Sequence, residues 1–514
     1  MFSRRGRAGS PGRRGQRRRL PPQAMRVLLV SSGAMSVWLC SMPTTDYPSS
    51  WISRPVTCAL GSIGSSTGQP NGERDAVERE SFPAQKPAVA HKSAVTYGLR
   101  LSPAVPVQLR PFPYPYRAML AICSDADHQT LRKFNEIHRF LNTTANTPYG
   151  HGLGLDVADS FFFYNGSNDR SVIDVGNIPL TQQLAYFRGT TGTPYAADAI
   201  DHFLRVGWMD SMHSYGDFST QSGHDTRFHR RFAKVAHNVW QSRHAPFVSV
   251  WIDHGNTANV DNFGSRHLRP FFHYQQGAVT NSPYYHTDIT REFGVRYMWS
   301  DFHSQQFGAK SVLSVVTLPD GQKMYGFSRY TNDGVTKDGA VHWLWSVKDL
   351  DAQLSIPHLR HLVQMNGYVV VAQHLASDSA KPCLPPDAVQ SLRTLANWQA
   401  QGKILVARTS RLLAYNRAHQ SIRYTVTEQA GQTTINIDSL DDPVFGKHVP
   451  CLTDLRGLTF YTAHPDRTSI LCNGRTILPQ MIVRNPSDGI SPSIGVRWYR
   501  PYVKDASRTL PRVP

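Results

Sequence analysis

Cysteine is scarce in this chain of 514 residues. There are six (Cys40, Cys58, Cys123, Cys383, Cys451 and Cys472), and no two stand in Cys-x-x-Cys spacing. That excludes a disulfide-built scaffold and argues against a structural zinc site of thiolates. Cys451 and Cys472 share one segment and are the pair expected to bridge in an oxidising compartment. Charge is thin as well: 18% of residues are charged, against 40% hydrophobic and 11% aromatic. Such a composition builds a sizeable core, so a chain disordered throughout is excluded. No internal repeat is visible. After residue 45 no run reaches the roughly 18 apolar residues of a membrane-spanning helix.

Acidic residues are missing altogether from residues 1–26, which hold Arg4, Arg5, Arg7, Arg13, Arg14, Arg17, Arg18, Arg19 and Arg26. Half of the formal net charge of +18 therefore sits on a short leader. A basic chain ordinarily raises nucleic acid as a partner. Outside the leader there is no basic helix, RNP-like motif or zinc finger, and no nucleic-acid partner is expected. Residues 1–24 read as a basic leader. Residues 25–42, with an apolar stretch of about 15 residues, read as a signal peptide or membrane anchor. Met25 offers an alternative start. The expectation is an exported protein: periplasmic, extracellular or held at a membrane through this segment. Residues 43–110, rich in Ser, Pro, Gly, Thr and Ala, read as a flexible linker.

The body follows a different pattern. Short apolar runs alternate with segments of helical period. Strands are expected at Met119–Ser124, Val157–Tyr164, Met209–His213, Phe247–Ile252, Val295–Ser300, Tyr368–Ala372 and Ile404–Ala407. Helices are expected between them, among others at 196–206, 227–241, 356–366 and 387–401. Strands that are apolar throughout suit a sheet covered on both faces, and the alternation suits a parallel α/β barrel or open sheet. Residues 310–345 read as a hairpin turning at Asp320-Gly321, treated as an insertion. After residue 420 the helical period disappears, and 421–514 read as a small β domain.

Polar residues at the carboxyl ends of these strands carry the functional signal, because α/β folds build their sites there. Strand one ends in Asp125 and Asp127, and strand two holds Asp159. Strand three runs into His213-Ser-Tyr-Gly-Asp217, and strand four into Asp253-His254-Gly-Asn256. Strand five ends in Trp299-Ser-Asp301, and strand six in Gln373-His374. A lone Asp or His in such a place is more often a cap or a satisfied core residue; six in succession at one edge are not. Two chemistries fit. One is a divalent ion held by carboxylate and imidazole that polarises a carbonyl and makes its bound water more acidic. The other is a metal-independent glycosidase using two carboxylates drawn from Asp125, Asp159, Asp253 and Asp301.

Over roughly residues 115–415, motif order and residue type resemble the polysaccharide deacetylases of the NodB-homology family. Ser124-Asp125-Ala126-Asp127 is similar to a variant of that family's first motif. His213-Ser-Tyr-Gly-Asp217 is similar to its His-Ser/Thr-x-x-His motif, with Asp217 in place of the second His. Val369–His374 is similar to the strand that ends in the family's general acid. The resemblance implies a distorted seven-stranded (β/α) barrel with a small C-terminal all-β domain, residues 111–420 forming the barrel. It implies Asp125 as base, His374 as acid oriented by Asp301, and Asp127, His213 and Asp217 as ligands of a divalent ion, zinc first among them. His224 or His254 would supply the imidazole that Asp217 replaces. His254, Asn256, Tyr215 and Trp299 would contact substrate, and Tyr164 and Trp251 also suit stacking on sugar rings. The usual Arg-Pro motif is absent, which implies a substrate other than chitin oligosaccharides or peptidoglycan. The expected activity is hydrolysis of acyl groups on a polysaccharide. A relative that binds glycan without catalysis is the remaining alternative.

Overall fold

The computed structural model describes residues 106–509, apart from 166–172, 175–177, 180–181, 217, 219–227, 255–259, 264–274, 302–304 and 379. The expected leader and signal or anchor segment, and nearly all of the expected linker, lie outside the described residues. The described residues belong to one compact unit. No described helix is long and apolar enough to cross a membrane.

The main sheet comprises β1 (Ala118–Ser124), β2 (Ala158–Phe161), β3 (Met209–His213), β4 (Val250–Ile252), β5 (Tyr297–Asp301), β6 (Leu313–Thr317), β7 (Lys323–Ser328), β8 (Tyr368–Gln373) and β9 (Ile404–Val406). Eight follow one path, β6-β7-β5-β4-β3-β2-β1-β8, and β9 pairs with the start of β1. Every neighbouring pair is parallel except β6 with β7. All residues of β1 and β8 are buried, as apolar parallel strands covered on both faces must be.

The sheet curls into a half-barrel. Tyr330, just past β7, donates its N–H to the Val370 carbonyl at 2.7 Å and accepts from the Ala372 N–H at 3.1 Å, so the two ends of the path approach one another. Helices α1 (Leu131–Asn142), α2 (Ala197–Val206), α3 (Arg230–Ser242), α4 (Thr287–Glu292), α5 (Ile356–Gln364), α6 (Pro386–Ala400) and α7 (Thr409–Ser421) alternate with the strands. Thr130 caps α1 by accepting from the Lys133 N–H. This starts the helix directly after the Asp125–Asp127 loop.

The hairpin expected at 310–345 forms, but it is not an insertion. β7 lies parallel to β5, with Trp299 opposite Phe327, and thus belongs to the main sheet. Sequence spacing could not reveal this, because an Asp-Gly turn specifies only the local antiparallel pair.

The C-terminal segment is built from two small sheets: a five-stranded one that contains β10 (Ile422–Gln429) and its hairpin partner β11 (Gln432–Asp442), and a four-stranded one that takes in Gln108–Leu109. It shares a hydrophobic cluster with the half-barrel. Met119, Val370, Leu412, Ile435, Ile437 and Phe460 belong to that one cluster. Arg417 of α7, almost fully buried, ion-pairs with Asp442 at 2.7 Å and with Asp454. Tyr325 of β7 donates to the same Asp442 at 2.9 Å. Cys451 and Cys472 are both free thiols. The Cys451 thiol bonds to Asp454 and that of Cys472 to the Pro450 carbonyl, so the expected bridge is not formed.

His419 of α7 bonds through Nε2 to the Arg110 carbonyl at 3.1 Å. Burial pulls its imidazole down to about 4, and the carbonyl only partly offsets this. It stays neutral in the folded chain where an unfolded His, near 6.5, takes a proton. Its contribution to stability is therefore complete above about pH 6.5 and is lost as the pH falls towards 4. The stability gap between the native protein and His419→Gln is expected to shift by about 3 kcal/mol between pH 7 and pH 4, read from urea midpoints. A gap constant with pH would contradict this assignment.

Candidate functional site

The parallel strands deliver their last residues to one edge. Asp125 and Asp127 follow β1, His213 ends β3, His254 follows β4 and His374 follows β8. Asp127 sits between two imidazoles: Oδ2 lies 2.9 Å from His213 Nε2 and Oδ1 lies 2.9 Å from His254 Nε2. His374 Nε2 lies 3.4 Å from Asp127 Oδ2 and 3.5 Å from Asp125 Oδ2. Beneath them the Phe162 ring stacks on His213 at 5.1 Å and meets His254 edge-on at 5.8 Å.

Local backbone geometry sets these positions. Ser214 takes a left-handed conformation, φ 49°, which turns the chain immediately after His213. Its hydroxyl donates to Asn262 Oδ1 at 2.6 Å and accepts from the His254 N–H at 3.0 Å. Asn262 also donates to the His254 carbonyl at 2.8 Å, so the His254 backbone is clamped on both sides. Gly216 bridges to Tyr164 so closely that a Cβ would lie 2.1 Å from the Tyr164 carbonyl oxygen. Only glycine fits there.

A residue that the sequence reading missed completes the site. Arg329, one position past β7, is fully buried. Its Nη1 and Nη2 donate to Asp125 Oδ1 and Oδ2 at 2.5 and 3.2 Å, and its guanidinium lies 3.9 Å from the Trp299 ring centroid. The signal was present: an Arg one residue beyond the apolar run Met324–Phe327 and its Ser328 occupies the place that Asp or His takes elsewhere. It was lost when the hairpin was set aside as an insertion.

Electrostatics follow from these contacts. Burial works to raise the Asp125 carboxyl, but Arg329, His213 and His374 outweigh it and hold the group well below the usual carboxylate range. Asp127 is likewise held far down, with His254 and His213 overcoming burial. Burial lowers His374, but the Asp125 and Asp127 carboxylates prevail and raise it to about 9, so it is protonated at neutral pH.

The donor set fits a divalent cation. Asp127, His213 and His254 each offer one ligand atom, all within 4.8 Å of one another. His213 Nδ1 lies 3.3 Å from the Ile252 carbonyl. A carbonyl only accepts, so Nδ1 donates to it and Nε2 is the atom turned on Asp127. Lone pair against carboxylate at 2.9 Å is repulsive unless a proton or a cation lies between them. Orientation of a ligand His by such a carbonyl is a recurrent feature of metal sites. Asp125, Asp127 and His374 also converge. Because Arg329 occupies both Asp125 oxygens, this second group is poorly suited to another ion.

Of the residues read from sequence, Asp125, Asp127, His213, His254 and His374 come together. His254, read there chiefly as a substrate contact, stands with Asp127 and His213. Asp217, Asn256 and His224 lie outside the described residues, as does the side chain of Asp301, whose backbone ends β5 at the same edge. Among the described residues, the carboxylates facing His374 are those of Asp125 and Asp127.

The expected substrate contacts Tyr215 and Trp299 are corrected by burial. Tyr215 is enclosed, its hydroxyl 2.6 Å from Thr290 Oγ1, and Trp299 packs under Arg329. Tyr164 and Trp251 are also core residues. Asp159 is held inside by Gln129 and His138. Asp253 accepts from Trp251 Nε1 at 2.6 Å, and burial pushes its carboxyl up to about 7. With Asp125 clamped by Arg329, no two of Asp125, Asp159 and Asp253 stand as an open carboxylate pair.

Comparison with protein-family models, with curated proteins and with solved structures returns no match. The chemistry of the site therefore has to be argued from its geometry.

Proposed function

We propose that this chain is a metal-dependent hydrolase that removes acyl groups from a glycan, on a half-barrel of polysaccharide-deacetylase type with its C-terminal β segment as an accessory. One observation carries the reading: a single carboxylate, Asp127, bracketed by His213 and His254, with a separately clamped Asp125 and with His374 close to both carboxylates. His254 provides the imidazole that the sequence motif lacked, from the neighbouring strand β4.

Asp127, His213 and His254 would hold the ion. When bound, a divalent ion such as zinc polarises the acyl carbonyl and makes water more acidic. Asp125 stands ready to accept the proton of the attacking water. Arg329 keeps it anionic and fixes both of its oxygens, at the cost of weaker basicity, so it holds the proton only briefly. His374 donates a proton to the departing sugar oxygen or nitrogen. Phe162 closes the underside of the imidazoles against water.

The test is acetate release from acetylated polysaccharides by protein stripped with chelator and reloaded with zinc. Activity should return with metal. Asp125→Asn should lower it by about 10²–10⁴-fold, the usual worth of a positioned acid or base. New reducing ends without acetate would instead indicate a glycosidase. Full activity after chelation would remove the metal from the mechanism.

A further inference from the structure

The chain leaving β4 comes back to it and encloses two further carboxylates and an amide. Asp253 is 1% exposed, Asp261 is fully buried and Gln275 is 4% exposed. Asp253 Oδ1 accepts from Trp251 Nε1 at 2.6 Å and from the Phe263 N–H at 3.3 Å. Asp261 Oδ2 accepts from the Tyr215 N–H at 3.0 Å, and the Asp261 carbonyl accepts from His286 Nε2 at 2.5 Å. The Gln276 N–H donates to the Val260 carbonyl at 3.0 Å and the Gly277 N–H to that of Asn262 at 2.8 Å. These bonds lay Gln275 alongside Asp261. Its amide faces the Asp253 carboxyl, and the Asp253 charge acts in turn on Asp261. The remaining atoms of the three side chains are unpartnered. Asp253 Oδ2, Asp261 Oδ1 and both amide atoms of Gln275 make no hydrogen bond. Neighbouring cations are spent elsewhere: Arg329, which weighs on Asp253, holds both oxygens of Asp125, and His254, which weighs on Asp261, is turned on Asp127.

An enclosed carboxylate oxygen without a donor is costly unless a proton, a water or a cation meets it. A single proton serves two oxygens at most, and a water brings no charge to match two carboxylates. A divalent cation meets both carboxylates and the amide oxygen and cancels both charges. The donors are all oxygen, which suits a hard ion, whereas zinc favours imidazoles such as those of His213 and His254. Calcium tolerates irregular oxygen geometry, while magnesium demands an octahedron and keeps its waters. We propose that Asp253, Asp261 and Gln275 bind a calcium-type cation, separate from the ion at Asp127. Its place in the chain gives it a task. Asp253 directly precedes His254, and Asp261 holds the Tyr215 N–H two residues past His213. The cation therefore fixes the backbone from which both imidazoles project. This site does not depend on the acyl-hydrolase reading.

The test uses the full chain carrying Asp127→Asn, which disables the first site, after metal is removed by chelator. Titration with terbium, a luminescent stand-in for calcium, should give emission sensitised by Trp251, whose indole bonds to Asp253. Calcium should quench that emission by displacement and should raise the unfolding temperature. Asp261→Asn, made in the same background, should weaken calcium binding by more than about tenfold, because affinity follows the charge of the ligand set. Gln275→Leu keeps both charges and much of the side-chain volume, which covers the case in which Asp261→Asn fails to fold. It should weaken calcium by a smaller factor. Absence of calcium binding, or affinity unchanged in Gln275→Leu, overturns the site. Displacement of terbium by zinc at lower concentration than by calcium overturns the assignment to a hard ion. Stabilisation by acid in place of calcium would mean that the two carboxyls share a proton, and overturns the proposal as well. None of these readouts involves acetate release, so failure of either idea leaves the other standing.

Discussion

Replacing Arg329 by methionine is expected to lower stability by about 3–5 kcal/mol, because it strands the buried Asp125 carboxylate without its counter-charge. Burial, the largest single influence on that carboxyl, would then act with less opposition, and the group would take up a proton at higher pH. The variant should also lose activity, since a protonated Asp125 cannot accept a proton from water. Lysine is no substitute: a single ammonium cannot match two carboxylate oxygens or lie flat on Trp299. The double variant Arg329→Met with Asp125→Asn should regain much of the stability, because both buried charges are then gone. Urea midpoints of the four proteins read the coupling directly. A single variant as stable as the native chain, or a double variant no better than the single, would show that the pair is not what holds this edge together.

The second large effect concerns the ion. Asp127→Asn and His254→Ala should each weaken zinc binding by more than roughly 100-fold, since even groups that merely orient a metal ligand are worth about 10–100-fold. Asp217→Ala should leave affinity nearly unchanged. Zinc competition titrations on the purified variants decide between the two ligand sets. Loss of binding in Asp217→Ala with retention in His254→Ala would return the ligand role to the motif as it reads in sequence.

That contrast marks where sequence ceases to be informative. The alternation of strands and helices was legible from Met119 to Val406, because a parallel strand covered on both faces must be apolar throughout. Asp125, Asp127, His213 and His374 were legible because each directly follows or ends such a run. His254 could be seen but not placed: its role depends on β4 lying beside β3, and pairing across strands leaves no local trace. Arg329 was lost for the same reason, one strand further on, since a hairpin looks alike whether it joins the main sheet or hangs from it. The aromatics misled, because Tyr164, Tyr215 and Trp251 are no more apolar in sequence than Trp343 and Trp345. Only the packing of α3 and α4 over the first three separates these enclosed rings from the half-buried pair.

The cluster that joins Met119 and Val370 to Ile435, Ile437 and Phe460 has a consequence for how such a chain can change over time. Accessory modules that touch their catalytic neighbour only through a tether can be shuffled, lost or duplicated as cassettes. Here α7 runs straight into β10, and the C-terminal strands supply part of the half-barrel's own interior. Excision at residue 421 would leave an apolar face bare to water and Arg417 without its buried acids. The C-terminal part is therefore a packing partner of the half-barrel and not a cassette that can be exchanged on its own.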